Sequence, residues 1–185
     1  IYFESNTYLL GKQLVHDGLQ TGIFKKLDDG AVVFDLSKIG LDQSKVLLRS
    51  DGTSVYMTQD LGTAIARVDE HGVDRMVYVV GDEQEHHFRV LFGILAEMRA
   101  ELDGACQHLS YGMVHLPDGK MKSREGTVVD ADMLMDEMRA LAREEIEKRA
   151  AASSSPALTS EEVLGRAEVI GLAALKYYLL NFTPQ

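Results

Sequence analysis

"RMVYVVGDEQEHHFRVLFGILAEM" (Arg75 to Met98) holds, in order, an apolar run, a polar turn and an amphipathic helix pattern. Met76 to Val80 is continuous and rich in β-branched residues, as expected of a strand buried on both faces of a parallel sheet. Phe88, Leu91, Phe92, Leu95 and Met98 then recur on one side of a helix. "QHLSYGMVHL" (Gln107 to Leu116) is the next strand and stops at Pro117. Strand, helix and strand in this order make a βαβ unit, so the fold class is α/β with a parallel sheet in which "VYVV" lies beside "LSYGMV".

Toward the N-terminus, "IYFESNTYLLGK" (Ile1 to Lys12) looks extended, and Leu9, Leu10 and Val15 predict a helix over Thr7 to Leu19. "IFKKLDDGAVVFDLS" (Ile23 to Ser37) predicts a β-hairpin about Asp29-Gly30. "KVLLRSDG" (Lys45 to Gly52) is a further strand that ends in a turn at Asp51-Gly52. Leu61, Ile65 and Val68 then predict a helix over Thr58 to Glu70. Toward the C-terminus, helices are expected over Ala131 to Ala150 and Glu161 to Leu180. "AASSSP" separates them, and Thr159 with Glu162 forms a capping box for the second.

The chain has 185 residues, a formal net charge of −10 and 45% hydrophobic residues, which suits one ordinary domain with an appended helical piece. No apolar run is long enough to span a bilayer. The single cysteine, Cys106, excludes an internal disulfide and fits a reducing, cytoplasmic compartment. The acidic balance argues against a broad nucleic-acid surface. A start without Met and a stop after a helical pattern lead to the expectation of a piece of a longer protein, with its sites incomplete.

Ligands of parallel sheets bind beyond the carboxyl ends of the strands. Three polar stretches are expected at such ends: "SDGTSVYMTQD", "GDEQEHH" and "GKMKSREG". In the first, Tyr56 and Asp60 are four apart. On a helix they would share a face, and a carboxylate with an aromatic wall suits a flat cation such as a guanidinium. The alternative makes Asp60 a solvated acid near a helix start, with Tyr56 in the core.

In the second stretch, Gly81 allows close backbone approach, Asp82 can accept from a ribose hydroxyl, and Gln84 can donate and accept. His87 can contact a phosphate or an amide. Glu83, His86 and His87 suggest a metal, but only Glu83 and His87 share a helix face and no cysteine cluster assists, so no metal site is expected. In the third, Lys120, Lys122 and Ser123 can close over a triphosphate and neutralise charge on a leaving pyrophosphate. The loop lacks the glycine spacing of a P-loop; its plain reading is a solvated basic turn.

"LLRSDGTSVYMTQDLGTAIAR", "VYVVGDEQEHHFRVLFGIL" and "HLSYGMVHLPDGKMKSREGTVVDAD" together resemble the second half of the catalytic domain of the arginyl-tRNA synthetase family, in class I of the aminoacyl-tRNA synthetases. The resemblance runs from about Tyr2 to the last helix. It implies part of a Rossmann-type catalytic domain over residues 1–150, and a linker and helix over 151–185 leading toward an anticodon-binding domain. It also implies ATP-dependent activation of L-arginine and transfer to tRNA(Arg), with Mg2+ accompanying ATP and no protein-bound metal.

By the same resemblance Tyr56, Asp60 and Gln84 bind arginine, and Gly81, Asp82 and His87 lie beside the adenylate. Backbone groups of Gly112 and Met113 meet the adenine. Lys120, Met121, Lys122 and Ser123 occupy the place of the K-M-S-K-S signature loop. That signature has lysine at its fourth position, where this chain has Ser123. The other class signature, H-I-G-H, does not occur in the chain, so the piece by itself is not expected to catalyse the reaction. Two other readings are a different adenylylating enzyme of the same superfold, whose pocket would ignore arginine, and a noncatalytic module that keeps the fold as an interaction surface.

Overall fold

The computed structural model describes residues 1–112, 115–116, 119–120, 130–152 and 158–181. It divides into two compact units, Ile1–Ser110 and Tyr111–Gln185.

The first unit opens with helix α1, Glu4–Gln20. The stretch expected to be extended is therefore already helical from Glu4. Its Thr7 and Val15 are buried while Leu9 is exposed, so packing of one face outweighs the β-branched and aromatic residues at its start. Three antiparallel strands follow: β1 (Lys25–Lys26), β2 (Val32–Asp35) and β3 (Ser44–Leu48). The β1–β2 turn carries Gly30 at φ +92°, a conformation glycine adopts without steric cost, and the Asp29 carboxylate accepts from the Ala31 N–H at 2.9 Å. Asp51 does the same for the Thr53 N–H at 2.8 Å beside Gly52 at φ +78°, and Leu48 then pairs with Ser54.

Helix α2, Tyr56–His71, begins two residues before its periodicity suggests. Thr58 explains the start. It is fully buried, its hydroxyl accepts from the Val55 N–H at 3.4 Å, and it donates to the carbonyl of Leu47 on β3. One side chain thus closes the first turn and ties the helix to the sheet. The α1 and α2 backbones cross closely at Gly11 and Gly62, where an added methyl on either would overlap the other helix's main chain.

Strand β4 (Met76–Gly81), helix α3 (Glu85–Met98) and strand β5 (Cys106–Tyr111) make the βαβ unit. The two strands pair with each other. The Met76 N–H donates to the Ala105 carbonyl at 2.9 Å, and farther along His108 Nε2 lies 2.9 Å from the Val80 carbonyl oxygen, so they run parallel.

Two expectations change here. β4 is not buried on both faces: Val77 and Val79 are 57% and 63% exposed. α3 supplies the aromatic contacts to Tyr78 on one face, and the described residues leave the other face open. The strand expected to run to Leu116 ends at Tyr111; His115–Leu116 (β6) instead pairs antiparallel with Gly119–Lys120 (β7). The core of the first unit joins Val15, Phe24, Phe34, Leu47, Met57, Leu61, Ile65, Leu91, Ile94 and Leu95.

In the second unit, α4 (Ala131–Ala151) and α5 (Ser160–Leu180) pack on each other. Asp130 caps α4 by accepting from the Asp132 N–H at 2.8 Å. Thr159 and Glu162 form the expected capping box on α5: the Thr159 hydroxyl accepts from the Glu162 N–H at 3.2 Å, and the Glu162 carboxylate accepts from the Thr159 N–H at 2.8 Å.

Candidate functional site

Tyr56 is the first residue of α2, and Asp60 follows one turn later on the same helix. Tyr56 is 76% exposed, which removes the reading that buries its ring in the core. Asp60 is half exposed, yet it is not a solvated acid: its Oδ2 lies 2.7 Å from Nε2 of His87, in the first turn of α3. A carboxylate only accepts, so the shared proton sits on the ring nitrogen. The structure thus joins one residue expected to bind arginine to another expected beside the adenylate.

The strand end expected to hold the site is only partly as anticipated. β3 pairs with β2 in the antiparallel sheet, so "SDGTSVYMTQD" does not follow a strand of the parallel pair. "GDEQEHH" does follow one: Gly81 closes β4 and is buried, Asp82–Gln84 form a 3-10 turn, and Gln84 is the exposed residue that enters α3. Gln84 makes no hydrogen bond to Tyr56 or Asp60. Gly112 is half-buried in the second unit. Lys120 closes β7, while Met113, Met121, Lys122 and Ser123 lie outside the described residues. Among the described residues no three His, Cys, Asp or Glu side chains converge as a metal would require.

Behind the Asp60–His87 contact stands an aromatic cluster that the motif reading did not include. The His87 ring meets Phe88 edge-on at 5.6 Å. Phe88 in turn packs on Tyr78 at 5.1 Å, on Phe92 at 5.6 Å and on the His108 ring at 4.6 Å. His108 is held from its other side by the Val80 carbonyl. Burial pushes the Tyr78 phenol up to about 12, against the pull of Arg67, whose guanidinium lies 5.7 Å from the ring centroid. The Tyr78 phenol therefore keeps its proton at ordinary pH. The period-two pattern of β4 and β5 carried the signal for them, because it turns Tyr78, Val80 and His108 toward α3.

Residues 11–182 match the family described as the catalytic domain of the class I tRNA synthetases for arginine. The chain belongs to that family. It is 55% identical to the arginine–tRNA ligase of Flavobacterium psychrophilum and 52% identical to that of Porphyromonas gingivalis, in each case over the whole of this chain and 30% of the relative. It therefore spans about a third of the length of these family members. The fold is that of the Thermus thermophilus arginyl-tRNA synthetase structure, with a TM-score of 0.73 at 20% identity over 97% of this chain and 35% of that one. The Plasmodium falciparum arginyl-tRNA synthetase structure gives 0.71 at 18% identity over 95% of this chain and 28% of that one. Among the described residues no helix is long and apolar enough to cross a membrane.

Proposed function

We propose that the chain is a catalytic-domain segment of a cytoplasmic arginine–tRNA ligase, in which it supplies the guanidinium pocket and part of the ATP site. The observation that carries this reading is the carboxylate of Asp60, half exposed and one helical turn from the exposed ring of Tyr56. A guanidinium presents a planar fork of N–H donors that a carboxylate can accept in pairs, and an aromatic face can cover its flat side. Family membership supports the choice of arginine among cationic substrates.

In this reading Gln84 completes the arginine pocket at the entrance to α3. Gly81 and Asp82 border the adenylate, and Gly112 and Met113 offer backbone groups to the adenine. Lys120, Met121, Lys122 and Ser123 close over the phosphates; there the lysine charges offset the charge that builds on the leaving pyrophosphate. Mg2+ arrives with ATP. Residues 1–150 belong to the catalytic domain, and 151–185 lead toward an anticodon-binding domain that engages tRNA(Arg). The second half of a Rossmann-type domain, lacking an H-I-G-H stretch, does not activate arginine by itself.

The test is Asp60→Asn in the full-length enzyme that carries this segment. Loss of a charge-assisted fork costs about 1.5–3 kcal/mol, so the arginine KM in ATP–pyrophosphate exchange rises roughly ten- to a hundredfold. The ATP KM stays near its starting value. A parallel loss of ATP and arginine binding would point to misfolding and sink the assignment.

A further inference from the structure

We propose that His87 is a positioning residue for arginine recognition, acting through Asp60 and not through contact with ATP. The inference rests on the arginine reading above and deepens it.

Asp60 and His87 stand 27 residues apart in sequence, on α2 and α3, and meet at 2.7 Å between Oδ2 and Nε2. Their surroundings differ. The Asp60 side chain is 45% exposed and the His87 side chain 21%. The His87 ring also lies edge-on against Phe88, which is buried and packed among Tyr78, Phe92 and His108. The imidazole is therefore the fixed member of the pair, and the carboxylate is the member that would otherwise rotate.

An aspartate turning freely about its terminal torsion offers a guanidinium fork a spread of acceptor directions, and binding must then freeze it. Tied at Oδ2, the group presents Oδ1 in one direction, and Oδ1 has no hydrogen-bond partner among the described residues. An uncharged imidazole that donates its Nε2 proton leaves the carboxylate charge in place, so the attraction for a cation can survive the tie. A lysine or arginine in the same position would neutralise the pocket before substrate arrived. Histidine orients the acid without cancelling it.

The test uses the full-length enzyme with four variants: His87→Ala, His87→Gln, Asp60→Asn and the double variant His87→Ala/Asp60→Asn. KM for arginine and for ATP are measured separately in ATP–pyrophosphate exchange, with circular dichroism as the folding control. His87→Ala is expected to raise the arginine KM about tenfold and to leave the ATP KM within about twofold. His87→Gln keeps an N–H donor at similar reach and recovers most of the loss, which a purely structural role for the ring would not allow. In the Asp60→Asn background His87→Ala adds less than about twofold, because the group it positions no longer accepts a fork.

A rise in the ATP KM equal to that for arginine overturns the proposal, as do multiplicative effects of the two substitutions or a His87→Gln variant as impaired as His87→Ala. If those results arrive while Asp60→Asn still raises the arginine KM, the pocket stands and only the positioning role is lost. If Asp60→Asn leaves the arginine KM unchanged, the pocket assignment itself is wrong.

Discussion

The α1–α2 pair crosses main chain against main chain inside a buried core, whereas the α4–α5 pair makes one such approach at Gly171 and leaves most of its side chains exposed. At the first crossing, Gly62 and Gly11 face each other, and a methyl on Gly62 would come 2.8 Å from the Gly11 nitrogen and overlap the Thr7 carbonyl. Met57, Thr58, Leu61, Ala64 and Ile65 of α2 are all buried around it. The second pair buries Val163, Ala167 and Gly171 of α5 and no residue of α4. Leu141, Leu164, Val169, Ile170 and Tyr177 remain exposed, and Arg139 bridges Glu168 at 3.0 Å and Asp136 at 2.8 Å on the surface. Surface ion pairs of that kind add little stability. The helix that bears Tyr56 and Asp60 is thus held against main chain at its crossing with α1, which suits the proposed pocket.

Gly62→Ala should show the difference most strongly. Main-chain overlap cannot be relieved by turning a side chain, so overpacking of about 3 kcal/mol outweighs the roughly 1 kcal/mol gained in helix propensity, a net loss near 2 kcal/mol. Native-state hydrogen exchange should show faster exchange of α1 and α2 amides with α4 and α5 unchanged.

Thr159→Ala is next in size. It removes the acceptor for the Glu162 N–H and the capping box with it, at a cost of about 1 kcal/mol. The loss should appear as faster exchange in the first turn of α5 and nowhere in α2. Gly171→Ala is the smallest. Its methyl would come 2.9 Å from backbone atoms of Met138 and Arg139, a shallower overlap than at Gly62, and α4, which has no buried residue, can shift away from it. The propensity gain of about 1 kcal/mol largely offsets it, so the urea midpoint should move little. A Gly171→Ala loss as large as that of Gly62→Ala would erase the distinction between the two pairs.

Much of this architecture was legible in local pattern. Asp29-Gly30 and Asp51-Gly52 announce turns because their side chains and φ values suit a reversal without help from elsewhere. α3 runs over Glu85–Met98 as its apolar spacing predicts, and Thr159 with Glu162 marks the start of α5. The Thr58 anchor was not legible: a threonine in a helix start is read as surface polar, and its burial depends on the Leu47 carbonyl arriving from β3. At the site, Tyr56 and Asp60 were found from their four-residue spacing, and His87 from its place after a strand. The roles proposed for them came from the family resemblance, and the contact between Asp60 and His87 was not legible in the sequence.

Sequence alone determined most of the helices, strands and turns, though not the start of α1 or the end of β5, and which residues offer carboxylate, imidazole and ammonium chemistry, since these follow from residue type and short-range periodicity. Only the tertiary structure decided that Val77 and Val79 lie on an open face, that Gly11 and Gly62 bring two backbones together, and that His87 holds Asp60. Each of those depends on how elements distant in the chain pack, and a side chain's spacing from its own neighbours carries no record of the helix it will meet.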